Sequence, residues 1–257
     1  MSEGRTSSAP KTERETPKLV GVGVGPGDPE LVTVRAVRVL READLTLVPV
    51  LADDQPEPGR AESVVRAYTG RAERVVFALS DRGGRTRRRV AAWDAAAGRV
   101  AQAFAAGAQT VAFATIGDPN VYSTFTYLAQ TVRDLVAGVR IETVPGITAM
   151  QDLAARSGTV LAEGRESLAL VTLTAGVEPF RAALAAHDTV VAYKFGPVAD
   201  DALAAVKDSG RLEDAVYGAR LGLPGEDVRP AGELGGPVPY LATLLLPARR
   251  TTRGGKL

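Results

Sequence analysis

The stretch GVGVGPGDPE, residues 21–30, decides how this sequence folds. It overlaps the end of the apolar run KLVGVGV at 18–24 and precedes apolar residues at helical spacing. It is therefore predicted to join a strand to a helix. Asp28 and Pro29 suit the N-cap and the first position of that helix. The four glycines ahead of them exceed what a tight turn requires, which indicates that the backbone here approaches a ligand closely.

The same loop lacks the features of a phosphate-binding turn. A P-loop ends in Gly-Lys-Ser/Thr, where this chain has Asp28-Pro29, and a G-x-G-x-x-G fingerprint that starts at Gly23 would place its third glycine at Asp28. A carboxylate there would repel a pyrophosphate, and Pro26 removes an amide donor from the turn. The loop is therefore predicted to bind a ligand without phosphates, and a cationic ligand is compatible with it.

Short apolar runs alternate with helical patterns along the whole chain, which predicts an α/β fold. In the first half, strands are predicted at 18–24, 45–50, 74–79, 110–115 and 140–144. Helical spacing is found from Leu31 to Leu40 and in the alanine-rich segment 87–104. After VPGIT the alternation restarts, with strands predicted at 167–173, 189–195, 214–222 and 240–247. A Gly/Pro-rich stretch among the last three strands favours a mixed sheet in this half.

The boundary between the two halves is placed at 144–148. This gives a disordered tail at 1–17, an N-terminal α/β domain at 18–144, a C-terminal α/β domain at 145–247 and a flexible tail at 248–257. A cleft between two such lobes is a usual place for a small-molecule site.

Composition excludes several classes of function. A formal net charge of +1 argues against a dedicated nucleic-acid-binding protein. The absence of cysteine and the single histidine, His187, argue against thiolate or His-rich metal sites and against a Ser–His–Asp triad, so no metal is expected. His187 is instead expected at a helix end. No apolar run approaches the ~20 residues of a membrane span, and residues 1–17 lack a secretory signal, so a cytoplasmic location is expected.

A second strand-to-helix turn, ATIGDPNVYSTFTYL, occupies 114–128. Gly117 permits an unusual backbone angle, and Asp118 offers helix-capping chemistry like that of Asp28. Tyr122 and Ser123 follow, and they are expected to line the mouth at the carboxyl end of a strand, where open α/β sheets bind ligands.

A third turn, VPGITAM, occupies 144–150. Thr148 is predicted to cap the next helix. Ala149 is small enough to leave the approach to a ligand open.

Together, GVGPGDP, GDPxxYS and VPGIT in this order and at these spacings resemble the tetrapyrrole methylase family over about residues 18–247. The segments that contain Trp93 and YSTFTYL, together with AVYGARLGLPGEDV, resemble the branch that methylates carbon 20 of precorrin-2. Related uroporphyrinogen methylases have an acidic residue where Pro49 stands, which argues against the uroporphyrinogen reaction.

The resemblance implies two αβα lobes, a homodimer, and S-adenosylmethionine bound in the cleft between the lobes. The residues expected to bind this cofactor are Gly25, Pro26, Gly117, Asp118, Val121, Tyr122, Ser123, Thr148, Ala149 and Phe195. Leu221 is a further position, expected to contact the cofactor through its backbone. No catalytic residue is assigned.

The activity implied by the resemblance is methyl transfer to carbon 20 of a reduced tetrapyrrole, either precorrin-2 or cobalt-factor II. Because this substrate carries many carboxylates, the cleft should offer cations. The cluster Arg82, Arg85, Arg87, Arg88 and Arg89 is one candidate source, and a solvated helix start is the other interpretation of it. The alternatives for function are another corrinoid-ring methyltransferase, a diphthamide methylase and a non-catalytic metabolite-binding module.

Overall fold

The computed structural model describes residues 16–52, 56–78, 84–252 and 254. Two five-stranded sheets form within these ranges, one from each half of the sequence. Some predicted features lie outside the described residues. They are Leu79 of the third predicted strand, Arg82, and residues 1–15, 253 and 255–257 of the two predicted tails. The predicted α/β class is confirmed, because each sheet has helices on both faces.

The first sheet is entirely parallel, with the strand order β3-β2-β4-β1-β5. Its strands are β1 Lys18–Gly23, β2 Leu45–Val50, β3 Ala72–Val76, β4 Thr110–Thr115 and β5 Arg140–Val144. The helices between them are α1 Val34–Glu42, α2 Arg60–Val65, α3 Arg87–Ala105 and α4 Phe125–Leu135. Leu19 packs in a core with α3 and α4, and Val20 packs in another core with α1 and α2. Both faces of β1 are therefore buried, as a near-continuous apolar strand requires.

The second sheet is mixed, as predicted, with the order β6-β7-β10-β8-β9. Its strands are β6 Leu168–Thr172, β7 Thr189–Tyr193, β8 Val216–Ala219, β9 Asp227–Pro230 and β10 Ala242–Leu246. Only β6 and β7 pair in parallel. The helices α5 Ala149–Ser157, α6 Glu178–Ala186 and α7 Ala199–Asp208 cover it, with α5 on one face and α6 and α7 on the other. The edge strand β9 was not predicted, because it lies within a Gly/Pro-rich stretch.

The helix predicted directly after the glycine loop begins later than expected. Asp28 does act as an N-cap, since its Oδ1 accepts from the Glu30 amide at 2.9 Å, but it caps only the short 3₁₀ helix Pro29–Leu31. The α-helix α1 starts at Val34 and is capped by Thr33, whose Oγ1 accepts from the Ala36 amide at 3.2 Å. Apolar spacing continues through both helices, so periodicity alone conceals the break.

Other element ends agree with the predictions only in part. His187 ends α6, with its amide donating to the Ala183 carbonyl at 3.0 Å. The third strand runs over Ala72–Val76 and thus starts two residues before the predicted 74–79. Among the residues that the structure describes, no helix combines the length and apolar character needed to cross a membrane.

Candidate functional site

The first two turns meet through their backbones. Gly25 and Gly117 form an isolated antiparallel bridge, in which the Gly117 amide donates to the Gly25 carbonyl at 2.7 Å. Their φ angles are 75° and 69°, in the left-handed region that glycine adopts without strain. The unusual angle predicted for Gly117 is confirmed, and it serves to bring the second turn against the first.

Asp118 joins the second turn to the third. Its Oδ1 accepts from the Asn120 amide at 2.7 Å, and its Oδ2 accepts from the Gly146 amide at 3.0 Å. The capping chemistry that Asp118 offers is not used at α4, because this helix begins only at Phe125 and its N-cap is Thr124. The carboxylate instead satisfies two backbone donors in turns that are far apart in sequence.

Most glycines of the first loop are required by close packing. A Cβ on Gly21 would lie 2.6 Å from the Phe125 ring, and a Cβ on Gly23 would lie 2.6 Å from the Gly117 carbonyl oxygen. A Cβ on Gly27 would clash with the Leu221 carbonyl of the second half of the chain. The surplus of glycines noted in the sequence is therefore explained by close packing against the Phe125 ring and against backbone in both halves of the chain.

The third turn starts α5, as predicted. Thr148 is the N-cap, and the Gln151 side chain accepts from the Thr148 amide at 2.8 Å in a capping box. A Cβ on Gly146 would clash with the Gly117 carbonyl oxygen. The three predicted turns therefore converge at one place.

A cleft with about 700 Å³ of space, part of it open to solvent, lies beside this junction. Residues from both halves of the chain line it: Pro26, Arg60, Ile116, Gly117, Asp118, Val121, Tyr122, Thr148, Ala149, Tyr193, Lys194, Gly218, Arg220, Leu221, Leu241, Ala242 and Thr243. Of the residues predicted from the sequence, the structure brings together Pro26, Gly117, Asp118, Val121, Tyr122, Thr148, Ala149 and Leu221.

Three other predicted residues are not part of the lining. Gly25 supports the cleft through its bridge to Gly117. Ser123 donates from Oγ to Thr115 at 3.1 Å and accepts from the Phe125 amide, so it organises the start of α4. Phe195 is fully buried and lies edge-on to Tyr217 at 6.1 Å between ring centroids. The cofactor contacts expected of these three residues stay predictions.

Sequence reasoning missed the cations of the lining, Arg60, Lys194 and Arg220. Lys194 and Arg220 each follow the last residue of a buried strand, β7 and β8 respectively. A long charged side chain at the carboxyl end of an apolar strand was the available signal. The predicted arginine cluster contributes none of its described members to the lining, and Arg87 and Arg88 are exposed at the start of α3.

The lining also contains all the non-glycine residues with positive φ in the described part of the chain. These are Tyr122 at 49°, Lys194 at 58° and Arg220 at 53°. A left-handed conformation costs a residue with a side chain on the order of 1 kcal/mol or more, and such residues cluster at functional sites. Their coincidence in one cleft marks it as the candidate functional site.

The electrostatics of the cleft are those of a partly buried cationic site. Burial, and then the charge of Arg89, lower the pKa of Lys194. Burial, and then the charge of Arg220, lower the pKa of Arg60. Burial raises the pKa of Tyr193, whose Oη accepts from the Met150 amide at 2.8 Å. Among the described residues, Asp118 is the single carboxylate of the lining.

No cluster of three or more His, Cys, Asp or Glu side chains suited to a metal ion occurs in the part of the chain that the structure describes. The donors that face the cleft are amides, hydroxyls and cationic side chains. This set is suited to an organic ligand with anionic groups.

Comparison with known proteins identifies the family. The family model "Tetrapyrrole (Corrin/Porphyrin) Methylases" matches residues 18–235. A cobalt-precorrin-2 C(20)-methyltransferase of Salmonella typhimurium is 34% identical over 235 residues, which are 89% of this chain and 95% of the relative. A precorrin-2 C(20)-methyltransferase of a Sinorhizobium species is 33% identical over 209 residues, which are 78% of this chain and 82% of the relative.

A solved structure of a cobalt precorrin-4 methyltransferase has the same fold. It matches with a TM-score of 0.65 and 22% sequence identity, over 90% of this chain and 94% of that one. The three turns, their convergence on one cleft and these similarities agree: the chain belongs to the tetrapyrrole (corrin/porphyrin) methylase family.

Proposed function

We propose that this protein transfers a methyl group from S-adenosylmethionine to carbon 20 of precorrin-2, or of its cobalt-containing counterpart cobalt-factor II, in cobalamin biosynthesis. The observation that carries the proposal is the junction of the three motif turns at the cleft, through the Gly117–Gly25 and Asp118–Gly146 hydrogen bonds. The two relatives named for methylation at carbon 20 align with 89% and 78% of the chain and favour this ring position over others.

The chemistry of the cleft fits the proposed cofactor. S-adenosylmethionine has no phosphate, and the glycine loop lacks phosphate-binding features because Pro26 and Asp28 occupy the positions where donors would be needed. The residues proposed to hold the cofactor are Gly25, Pro26, Gly117, Asp118, Val121, Tyr122, Ser123, Thr148, Ala149 and Phe195.

Bound in this way, S-adenosylmethionine supplies an electrophilic methyl group. The residues of the chain act mainly by positioning, because carbon 20 of the reduced tetrapyrrole is already electron-rich. Holding two reactants in line contributes on the order of 7–11 kcal/mol to lowering a barrier. Asp118 fixes the second and third turns relative to each other, and the cations of the lining offer charge to the substrate carboxylates.

The larger organisation of the protein is part of the same proposal. We propose that the chain divides near 144–148 into two lobes, 18–144 and 145–247, which is supported by the separate sheets of the two halves. A homodimer is proposed on the family resemblance, and a cytoplasmic location is proposed because it suits a biosynthetic enzyme. Sedimentation equilibrium of the purified protein tests the dimer.

The decisive experiment is identification of the product. The protein is incubated with precorrin-2 and isotope-labelled S-adenosylmethionine, and the product is analysed by mass spectrometry and carbon NMR. One added methyl group at carbon 20 is expected. Addition at another ring carbon would indicate a different corrinoid methyltransferase. Binding of S-adenosylmethionine without turnover would favour a metabolite-binding module.

A further inference from the structure

Lys194 and Arg220 lie on the same edge of the second sheet. Lys194 directly follows β7 and Arg220 directly follows β8, and β10 runs antiparallel between these two strands. The Lys194 amide donates to the Ala242 carbonyl at the start of β10, and Ala242 pairs with Ala219 on the other side. Two inter-strand spacings place the two backbones about 10 Å apart.

Both residues keep long cationic side chains at positions where the backbone favours glycine, with φ of 58° and 53°. Glycine at either position would satisfy the backbone without strain. The presence of these side chains therefore indicates a role other than stabilising the fold. Both residues line the cleft.

Neither side chain forms an ion pair with a carboxylate of the described residues. The Lys194 ammonium group donates one long hydrogen bond of 3.5 Å, to the Tyr122 carbonyl. Asp118, the carboxylate of the lining, is already bonded to two backbone amides. The two positive charges are therefore available to an anionic group of a ligand.

The surroundings of Lys194 favour a large planar ligand. Its Nζ lies 5.8 Å from the centre of the Tyr122 ring and 6.0 Å from that of Tyr240. These rings are 48% and 44% exposed, so apolar faces stand open beside the charge. A macrocycle that carries carboxylates on its rim matches this combination of aromatic faces and cations.

We propose that Lys194 and Arg220 bind carboxylates on the rim of the tetrapyrrole and so set its position in the cleft. The identity of the ligand rests on the proposed function. The burial of Lys194 and the charge of Arg89 both disfavour its ammonium form, and a bound carboxylate would oppose both effects.

The test measures binding of uroporphyrin I, a stable octacarboxylate porphyrin, by its fluorescence anisotropy. K194M and R220M remove one charge each, and K194R keeps the charge. Each loss of charge is expected to raise the Kd about tenfold, equivalent to ~1.4 kcal/mol, whereas K194R should restore most of the affinity. The preference for uroporphyrin I over the tetracarboxylate coproporphyrin I should also shrink in K194M.

The matched control is R87Q/R88Q, which removes two exposed positive charges from the start of α3, outside the lining. Its Kd for uroporphyrin I is expected to stay within about twofold of the wild type, as for screened surface charges. Equal weakening in K194M and in this control would overturn the inference, because the effect would then come from net charge alone.

The carboxylate that Lys194 and Arg220 bind could belong to the tetrapyrrole or to the methionyl group of S-adenosylmethionine. Calorimetry with S-adenosylmethionine distinguishes these two sources. The inference predicts an unchanged Kd for S-adenosylmethionine in K194M and R220M. A weaker cofactor affinity with unchanged porphyrin binding would place the methionyl carboxylate at this edge and overturn it. Failure of the wild type to bind uroporphyrin I would overturn it as well.

The proposed function can fail separately. Charge-dependent porphyrin binding without methylation of precorrin-2 would leave the carboxylate site standing and remove the assigned reaction. If the protein methylates carbon 20 but K194M and R220M leave the KM for precorrin-2 unchanged, the proposed function is supported and the carboxylate site is refuted.

Discussion

The two halves of the chain border the cleft with different backbone chemistry. In the first half, the left-handed positions that join the turns are the glycines Gly25 and Gly117. In the second half, the left-handed positions at the sheet edge are Lys194 and Arg220. Tyr122 is the exception in the first half, and its hydroxyl reaches across to the Leu170 carbonyl of the second at 3.1 Å.

The two halves therefore use the left-handed backbone conformation in two different ways. Where the backbone itself is the functional surface, glycine permits close approach without strain. Where a side chain must project from the end of a strand, the fold retains a residue with a Cβ at some cost in stability. The first lobe is therefore expected to be sensitive to added atoms and the second lobe to removed charges.

The largest effect is expected from G146A. The added Cβ would clash with the Gly117 carbonyl oxygen and with Gly23, which are backbone groups that cannot rotate away. A loss of about 3 kcal/mol in the free energy of unfolding is expected, together with loss of S-adenosylmethionine binding. Urea denaturation and calorimetry measure the two effects.

The control for this variant is G98A within α3, where a Cβ would have no neighbour within 4 Å. Replacing a helical glycine by alanine should stabilise the protein by about 0.5–1 kcal/mol. Equal stability of G98A and G146A would mean that the turns are not packed as described.

An intermediate effect is expected from D118A. This variant leaves the Asn120 and Gly146 amides without their acceptor, and the second and third turns lose their direct connection. A loss of about 2 kcal/mol in stability is expected. The Kd for S-adenosylmethionine should rise about tenfold, equivalent to ~1.4 kcal/mol.

D28A is the matched control, because the Asp28 carboxylate caps a 3₁₀ helix and Asp28 is absent from the lining. It should cost about 1 kcal/mol of stability and leave the cofactor affinity unchanged. If D118A behaved like D28A in calorimetry, the carboxylate would be a structural cap and nothing more.

The smallest effect concerns the strain at Arg220. R220G should be more stable than R220A by about 1 kcal/mol, since glycine tolerates the φ of 53° and alanine does not. At the exposed helical position Ala204 of α7, alanine should be more stable than glycine, so A204G should lose about 1 kcal/mol in the free energy of unfolding. Urea denaturation of the three variants measures both differences. R220A more stable than R220G would refute the strain at this position.

Much of the first half could be predicted from the sequence because its signals are local. The parallel strands are short apolar runs, the turns are rich in Gly and Pro, and Thr148 precedes a helical pattern that it does cap. The convergence of the turns followed from the rule that the carboxyl ends of parallel strands share one edge. The clash that fixes Gly146 could not be foreseen, because it depends on the distance between two separate turns.

The second half was harder to predict because its functional edge depends on strand order. Lys194 and Arg220 become neighbours of the cleft only because β10 inserts antiparallel between β7 and β8. Asp118 misled for a related reason. Its local pattern matches a helix cap, whereas its second acceptor atom bonds an amide twenty-eight positions away. The sequence near these positions shows a charged residue after an apolar strand and an Asp-Pro pair, but it does not show which distant segments they meet.

The single tryptophan gives the protein an internal optical probe. Trp93 of α3 stacks on Tyr127 of α4, with 4.5 Å between ring centroids and 15° between planes. Its emission therefore reports the packing of two helices on the first sheet, while far-ultraviolet dichroism reports the helices of both halves. Coincident transitions in the two signals would mean that the lobes unfold as one cooperative unit, and separated transitions would give the stability of each lobe from a single titration.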